Sequence, residues 1–354
     1  NGKLVADHQN LPPDKLDPAH NPLHRFYNTA GGLAELSDFN ENNPAVMDYL
    51  AGAYAQWIAQ GADAFRIDTI GWLPHPFWHE FVARMRREKP GMFMFGEAFE
   101  YDANKIAEHT WAQNANVSVL DFPLKQGLEK VFGREQAGFE ELSDRLYLDG
   151  GPYANPYELA TFYDNHDMAR LDASDEGFID AHNWLFTARG IPVVYYGSEI
   201  GFMRGRPEHD GNRNYFGAER IAQAQAHAIQ KNLSRIAHVR AASPALQQGL
   251  QLTVELKGDR AAFYRVYQHD GVAQTALVLL NKGDKPATFE VKQWLQPGQW
   301  RAAIAGGKAK VRTGDSLKAN VPAHGVEVYL LDAPVQHPQL QVELDRLMRV
   351  KRPQ

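Results

Sequence analysis

The sequence contains no cysteine among its 354 residues, which excludes disulfide bonds and thiolate metal sites from the chain. It has no run of about eighteen apolar residues, so it predicts no membrane-spanning helix, and its first residues lack the pattern of a signal peptide. Because the chain also begins without Met, we expect its start to reflect processing or truncation. The absence of cysteine fits the cytosol or the periplasm, and we favour a periplasmic or secreted protein over a cytoplasmic one.

Basic residues are neither in excess nor clustered. The chain has 37 Lys and Arg residues and 43 Asp and Glu residues, which gives a formal net charge of -6. Nucleic-acid-binding domains usually present a basic face, so we expect no nucleic-acid partner. With 44% hydrophobic residues, the chain can bury a large core and is expected to hold more than one domain.

A change of pattern separates the first residues from the rest of the chain. Residues 1–37 are rich in Pro, Asn, His and Gly and show little periodicity, which predicts an irregular insert. Helical spacing of apolar residues then begins at Pro44, and a short apolar run at 62–67 ends in Asp68. The same rhythm predicts a helix at 76–89 and further strands at 92–96, 117–121, 159–163 and 191–196.

Strands that alternate with helices indicate an α/β fold with a parallel sheet, and polar residues at the strand ends favour a (β/α)8 TIM barrel. We find only five such strands, whereas a closed barrel has eight. We therefore expect a missing N-terminal part of the same enzyme to complete the barrel. A free-standing half barrel would expose a large apolar edge, which folded proteins avoid.

From about Gln251 the pattern changes to alternating strands separated by turns, at 252–256, 262–267, 275–280, 288–291 and 326–331. This predicts a separate antiparallel β-sandwich domain, followed after Pro334 by a short amphipathic helix or tail. The predicted boundaries are 1–37 for the insert, 38–240 for barrel strands four to eight, 241–333 for the β domain and 334–354 for the tail.

Three carboxylates, Asp68, Glu97 and Asp167, each end a predicted strand, which places them on one rim of a barrel. Glycoside hydrolysis needs a carboxylate that attacks the anomeric carbon and a carboxylic acid that protonates the leaving oxygen. For any one of them, a helix N-cap is the alternative. Arg66 shares a strand face with Asp68 and is expected to keep that carboxylate ionised, the alternative being a structural salt bridge.

Phe65-Arg66-Ile67-Asp68, Phe95-Gly96-Glu97 and the segment 162–167 resemble, in this order, three motifs of the α-amylase family of glycoside hydrolases. Segments 36–40 and 190–199 are similar to further family segments, so the resemblance extends from about residue 31 to 333. Within the family, segments 38–43 and 164–170 look most similar to cyclodextrin glucanotransferases and related bacterial amylases.

The resemblance implies a role for each matched residue. Asp68 would form the covalent glycosyl intermediate, Glu97 would be the acid and base, and Asp167 would bind sugar hydroxyls. Substrate contacts are implied for Arg66, His166 and Arg170, although without the family context His166 is as readily a buried structural histidine.

The resemblance also implies a structural Ca²⁺ ion, with Asp38 at a ligand position. Oxygen ligands suit Ca²⁺. The alternative for Asp38 is an N-cap of the helix that begins near Pro44.

Two features depart from the family pattern. Gly71-Trp72 stands where relatives carry a Lys-His pair, so acceptor binding should differ, and Trp72 is expected either to stack on a sugar ring or to pack in the core. The family's first motif, an Asp followed by Asn-His, does not occur in this sequence.

The sequence therefore favours a retaining hydrolase of α-1,4-glucosidic bonds in starch or maltooligosaccharides. A cyclodextrin glucanotransferase or another α-glucanotransferase is the main alternative, because the same covalent intermediate serves both reactions. A catalytically silent carbohydrate-binding protein is a further alternative. The expected partner is an α-glucan, with neither a nucleic acid nor a membrane.

Overall fold

The computed structural model of the protein describes residues 11–30 and 37–353, which form two compact units. The smaller unit comprises the chain up to Ala98 together with His109–Val117, and the larger unit comprises Phe99–Glu108 and the chain from Ser118 onwards. The predicted insert at 1–37 therefore lies partly outside the described residues.

The smaller unit alternates helices with strands, in the order Pro44–Ala59 (α1), Ala64–Ile67 (β1), His75–Glu88 (α2) and Phe93–Gly96 (β2). Asn43 caps α1, because its side chain accepts a hydrogen bond from the Ala45 amide, and Pro44 occupies the first turn, where no amide partner is needed. The helix α2 buries one face made of Phe77, Trp78, Phe81, Val82 and Met85.

The strands β1 and β2 pair in parallel, and their register places Ile67 opposite Gly96. The next residues in the two strands, Asp68 and Glu97, therefore leave the sheet side by side. Gly96 is needed at this point, because a Cβ atom there would lie 2.6 Å from the side chain of Ile70. The site residues are thus positioned by strand register and by one close packing contact.

Before the β domain, the described residues of the larger unit form three short strands and six α-helices. The strands are Ser118–Val119 (β3), Ala160–Thr161 (β4) and Ile191–Pro192 (β5). The helices are Ala103–Ala107 (α3), Phe122–Phe132 (α4), Asp175–Leu185 (α5), Ala218–Ala224 (α6), Ala228–Ala241 (α7) and Pro244–Gln248 (α8). The strands β4 and β5 pair in parallel, as expected for a barrel.

The chain from Leu250 forms two antiparallel sheets and a final helix. The strands are Leu250–Lys257 (β6), Arg260–His269 (β7), Val272–Asn281 (β8), Ala287–Val291 (β9), Gly298–Ala302 (β10), Lys308–Val311 (β11), Leu317–Val321 (β12) and Gly325–Leu331 (β13). The larger sheet has the order β11-β10-β13-β8-β7-β6, and β12 pairs with β9 in the second. The final helix is Pro338–Met348 (α9).

Two apolar cores hold the larger unit together. In one, Phe178 and Trp184 of α5 pack with Phe263 of β7 and Val278 of β8, so a barrel helix and the β domain share one core. The other core lies on the opposite face of the large sheet. There, side chains of the sheet, among them Trp300 of β10, pack with the second sheet and with α9. The β domain therefore packs against α5 of this unit.

The five predicted barrel strands are all found, but the last three are only two residues long. The five predicted strands of the β domain are also found, whereas β10, β11 and β12 were missed. These three are only four or five residues long and contain Gly, Ala, Lys or Asn, which are depleted in strands, so their short apolar–polar alternation was a weak signal. The predicted domain boundaries stay predictions. Within the described residues, no helix combines the length and apolar character needed to cross a bilayer.

Candidate active site

Arg66, Asp68 and Glu97 come together in the smaller unit. The Nη1 atom of Arg66 lies 3.2 Å from Oδ1 of Asp68, and its Nη2 atom lies 2.8 Å from Oε2 of Glu97. The Glu97 side chain is 6% exposed and that of Asp68 is 65% exposed. The guanidinium therefore contacts two carboxyl groups that differ in their exposure to solvent. The sequence predicted a contact with Asp68 only, so the contact with Glu97 is additional.

The environment shifts the pKa values of the two carboxyl groups in opposite directions. Burial, together with a hydrogen bond to Asp68, raises the pKa of Glu97 to about 7. The same hydrogen bond from Glu97, and then the charge of Arg66, lower the pKa of Asp68. Below about pH 7, the buried Glu97 therefore holds a proton, while the lowered pKa keeps the exposed Asp68 an anion.

The chain turns sharply after β1. Thr69 has a φ of 49°, in the left-handed region, and a 3₁₀ turn at Ile70–Trp72 follows. The indole of Trp78 secures this turn, since its Nε1 donates a 2.7 Å hydrogen bond to the Ile70 carbonyl. Trp72 itself is 61% exposed, so its ring faces solvent in the described part of the chain.

Asp167 and His166 lie in the larger unit, on the chain that follows β4. The Nε2 atom of His166 is 2.9 Å from Oδ2 of Asp167, and Arg213 contacts the other carboxylate oxygen. The imidazole remains 35% exposed, so His166 is not the fully buried structural histidine of the alternative interpretation. Both oxygens of Asp167 thus face groups that donate hydrogen bonds when protonated.

Arg213 was missed by the sequence analysis. It belongs to residues 203–217, which follow the last barrel strand and are rich in Gly, Arg and Asn. That composition is a signal for a polar loop at the rim of a barrel, but it does not indicate which basic side chain reaches Asp167.

The structure argues against the direct substrate contact predicted for Arg170. This residue is only 2% exposed, and its guanidinium donates hydrogen bonds to the carbonyls of Gly211 and Tyr196. It also lies over the ring of Tyr195, with 4.4 Å from Cζ to the ring centroid. Arg170 therefore ties two loops of the larger unit together.

Asp38 neither caps α1, which is the function of Asn43, nor belongs to a cluster of metal ligands. Its Oδ2 atom accepts a 2.9 Å hydrogen bond from the Asn28 side-chain amide, which also donates to Glu41. No group of three or more His, Asp or Glu side chains that could hold a metal occurs among residues 11–30 and 37–353. These residues alone do not fit a calcium site.

The family profile described as alpha amylase, catalytic domain, matches residues 20–238, which is more than half of the chain. A cyclomaltodextrin glucanotransferase of Bacillus sp. (strain 1011) is 31% identical over 304 residues, covering 82% of this chain and 41% of the relative. An alpha-amylase of Streptomyces lividans is 27% identical over 348 residues, covering 86% of this chain and 37% of that protein.

Among solved structures, an alpha-amylase from Geobacillus thermoleovorans superposes with a TM-score of 0.73 at 24% identity, over 90% of this chain and 70% of that one. A three-domain cyclomaltodextrin glucanotransferase superposes with a TM-score of 0.71 at 26% identity, over 90% and 65%. The chain spans about 40% of the length of the curated relatives it matches. On the family profile and on these relatives, the chain belongs to the alpha-amylase family.

Proposed function

We propose that this chain carries catalytic residues of a retaining enzyme that acts on α-1,4-glucosidic bonds of starch or maltooligosaccharides. The observation that carries the proposal is the cluster in which Arg66 contacts both Asp68 and Glu97, whose pKa values are shifted in opposite directions. In a retaining enzyme one carboxylate attacks the anomeric carbon and one carboxylic acid protonates the leaving oxygen, roles that suit an ionised Asp68 and a protonated Glu97.

In the proposed first step, the Asp68 carboxylate attacks the anomeric carbon while Glu97 transfers its proton to the glycosidic oxygen, so the leaving sugar departs with a free hydroxyl. In the second step, the Glu97 carboxylate takes a proton from water as the oxygen of that water displaces Asp68. Asp167 and His166 would bind hydroxyls of the reacting sugar. Arg66, which contacts both carboxyl groups, favours the anionic form of Asp68.

The second candidate is an α-glucanotransferase, in which a sugar hydroxyl replaces water in the second step. It is favoured by the several cyclomaltodextrin glucanotransferases among the relatives. The exposed indole of Trp72 offers an apolar face on which an acceptor sugar would stack, in either reaction.

We further propose that additional strands complete the barrel. Among the described residues, β1 is an edge strand, and beside it lies a pocket of about 370 Å³ with an apolar wall that includes Tyr54, Phe65 and Phe81. Parallel barrels leave no such edge uncovered. The protein with those strands present is the form in which activity is to be measured.

Incubation with maltoheptaose, followed by chromatography of the products, tests the proposal. Short linear products that disappear in Asp68→Asn indicate a hydrolase, and longer or cyclic products indicate a transferase. Asp63→Asn is the matched control, because Asp63 lies just before the same strand but pairs with Lys89 at the surface. Glucan binding without turnover by the complete protein would overturn both enzyme proposals in favour of a silent binding protein.

A further inference from the structure

Two consecutive residues of the loop at 203–217 hold the main chain of His166. The side-chain amide of Asn212 donates a 2.6 Å hydrogen bond to the His166 carbonyl, and Nε of Arg213 donates to the same oxygen at 3.0 Å. Asn212 is 1% exposed, whereas the Arg213 side chain is 64% exposed. The contact from Asn212 is therefore sheltered from competition by water, and that from Arg213 is not.

Asn212 is itself fixed by two other contacts. Its Oδ1 atom accepts a hydrogen bond from the His209 amide at 3.1 Å, and its main-chain carbonyl accepts one from the Tyr195 hydroxyl at 2.8 Å. The oxygen of the side-chain amide faces a donor and its nitrogen faces an acceptor, so both ends of the group are matched in only one orientation. Asn212 thus presents a donor of defined position to His166.

The carbonyl that Asn212 holds belongs to the peptide unit between His166 and Asp167. The amide of that same unit, on Asp167, donates a 2.8 Å hydrogen bond to Oδ1 of Asn165. Because a peptide unit is planar, fixing its oxygen at one edge and its N–H at the other fixes the orientation of the whole unit. The two Cα atoms flanking it carry the imidazole and the carboxylate of the pair described above.

We propose that Asn212 is a positioning residue, which orients the His166 imidazole and the Asp167 carboxylate by holding the peptide unit between them. It does not need to touch the substrate. The benefit to sugar binding rests on the proposed function, whereas the effect on the His166–Asp167 geometry does not. Arg213 supports the same carbonyl from the solvent side.

The first test compares Asn212→Asp with Asn214→Asp in maltoheptaose kinetics. Asn212→Asp replaces the buried donor with an oxygen that faces the His166 carbonyl, so we expect kcat/KM to fall about 10- to 100-fold, mostly in kcat. Asn214 is a matched control, because its side chain also donates to a main-chain carbonyl of this loop, that of Asp210 at 3.1 Å. We expect less than about a twofold change for Asn214→Asp.

The second test is independent of turnover. In NMR spectra, Asn212→Asp should shift the Cε1–H signal of His166 and the amide signal of Asp167, while Asn214→Asp leaves both in place. If Asn212→Asp does not fold, as judged by circular dichroism, Asn212→Ser removes the same donor without adding a charge. Unchanged His166 and Asp167 signals in a folded Asn212 variant would overturn the inference. A wild-type protein without activity would overturn only the proposed function.

Discussion

The carboxyl groups of Asp68 and Glu97 are held by one guanidinium, although 29 residues separate them in the sequence. Arg66 contacts both of them, at 3.2 and 2.8 Å. The cluster thus contains one carboxyl group of raised pKa, that of Glu97, and one of lowered pKa, that of Asp68.

The first prediction concerns pH dependence. Glu97 must be protonated to act as the acid, and its pKa is raised to about 7, so kcat/KM should fall as pH rises through about 7. Asp68 must be ionised, and its pKa is lowered, so the acidic limb should lie below the ordinary range of an aspartate. The pH profile of maltoheptaose cleavage checks both limbs. A flat profile between pH 6 and 9 would contradict the assignment of Glu97 as the acid.

The second prediction is that Arg66→Met moves the alkaline limb to higher pH. The charge of Arg66 lowers the pKa values of both carboxyl groups, so its loss should raise both. We also expect kcat/KM to fall about 100-fold at pH 7, because the buried carboxyl group loses its fixed partner. Arg84→Met is the control, since Arg84 pairs with the exposed groups Glu80 and Asp48 on the helices of the same unit. An unshifted limb in Arg66→Met would refute this coupling.

The third prediction concerns stability. Asp121 and Arg189 form an ion pair of 2.7 Å in which neither side chain is exposed. Removal of one partner leaves a buried charge, so Arg189→Met should reduce the free energy of unfolding by about 3–5 kcal/mol. The exposed pair of Arg346 and Asp149 supplies the comparison, and Arg346→Met should have little effect. Urea denaturation of both variants measures the difference, and equal losses would show that burial of the pair does not matter.

The fourth prediction concerns a pH-dependent contact between α5 and the β domain. Nδ1 of His324 lies 2.8 Å from Oδ2 of Asp180, and this hydrogen bond raises the pKa of His324 to about 9. Since the folded value exceeds the ordinary value of 6.5, the stability that protonated His324 contributes through Asp180 is lost as pH rises from about 6.5 through about 9. Burial raises the pKa of Asp180 to about 6, so the ion pair exists between these two values.

Urea unfolding of the wild type and of His324→Gln at pH 6.5 and pH 10 tests this contact. The wild type should be the more stable protein at pH 6.5, and the difference should nearly vanish at pH 10. The exposed pair of His269 and Asp270 provides the matched control, so His269→Gln should match the wild type at both values. A stability difference that does not change with pH would point to packing of His324 instead of its charge.

Some parts of the fold and site were predictable because their causes are local. The helix α1 follows from a capping Asn43 and a first-turn Pro44, and β1 follows from an apolar run that ends at Asp68. The strands β10 to β12 were missed because they are four or five residues long and contain residues that strands disfavour, so pairing with neighbouring strands, and not local propensity, defines them. The same holds for the two-residue strands of the barrel, where only hydrogen bonds to the neighbouring strand define the length.

The sequence by itself determined the family motifs, the identity of the carboxylates and the pairing of Arg66 with Asp68 on one strand face, since residues two apart in a strand share a side. Tertiary structure decided which groups those side chains meet. The parallel register of β1 and β2 sets Glu97 beside Asp68, and burial then fixes which of the two holds the proton. The tertiary structure also buries Arg170 and brings Arg213 to Asp167. Contacts between loops depend on how distant strands are placed and not on the local sequence.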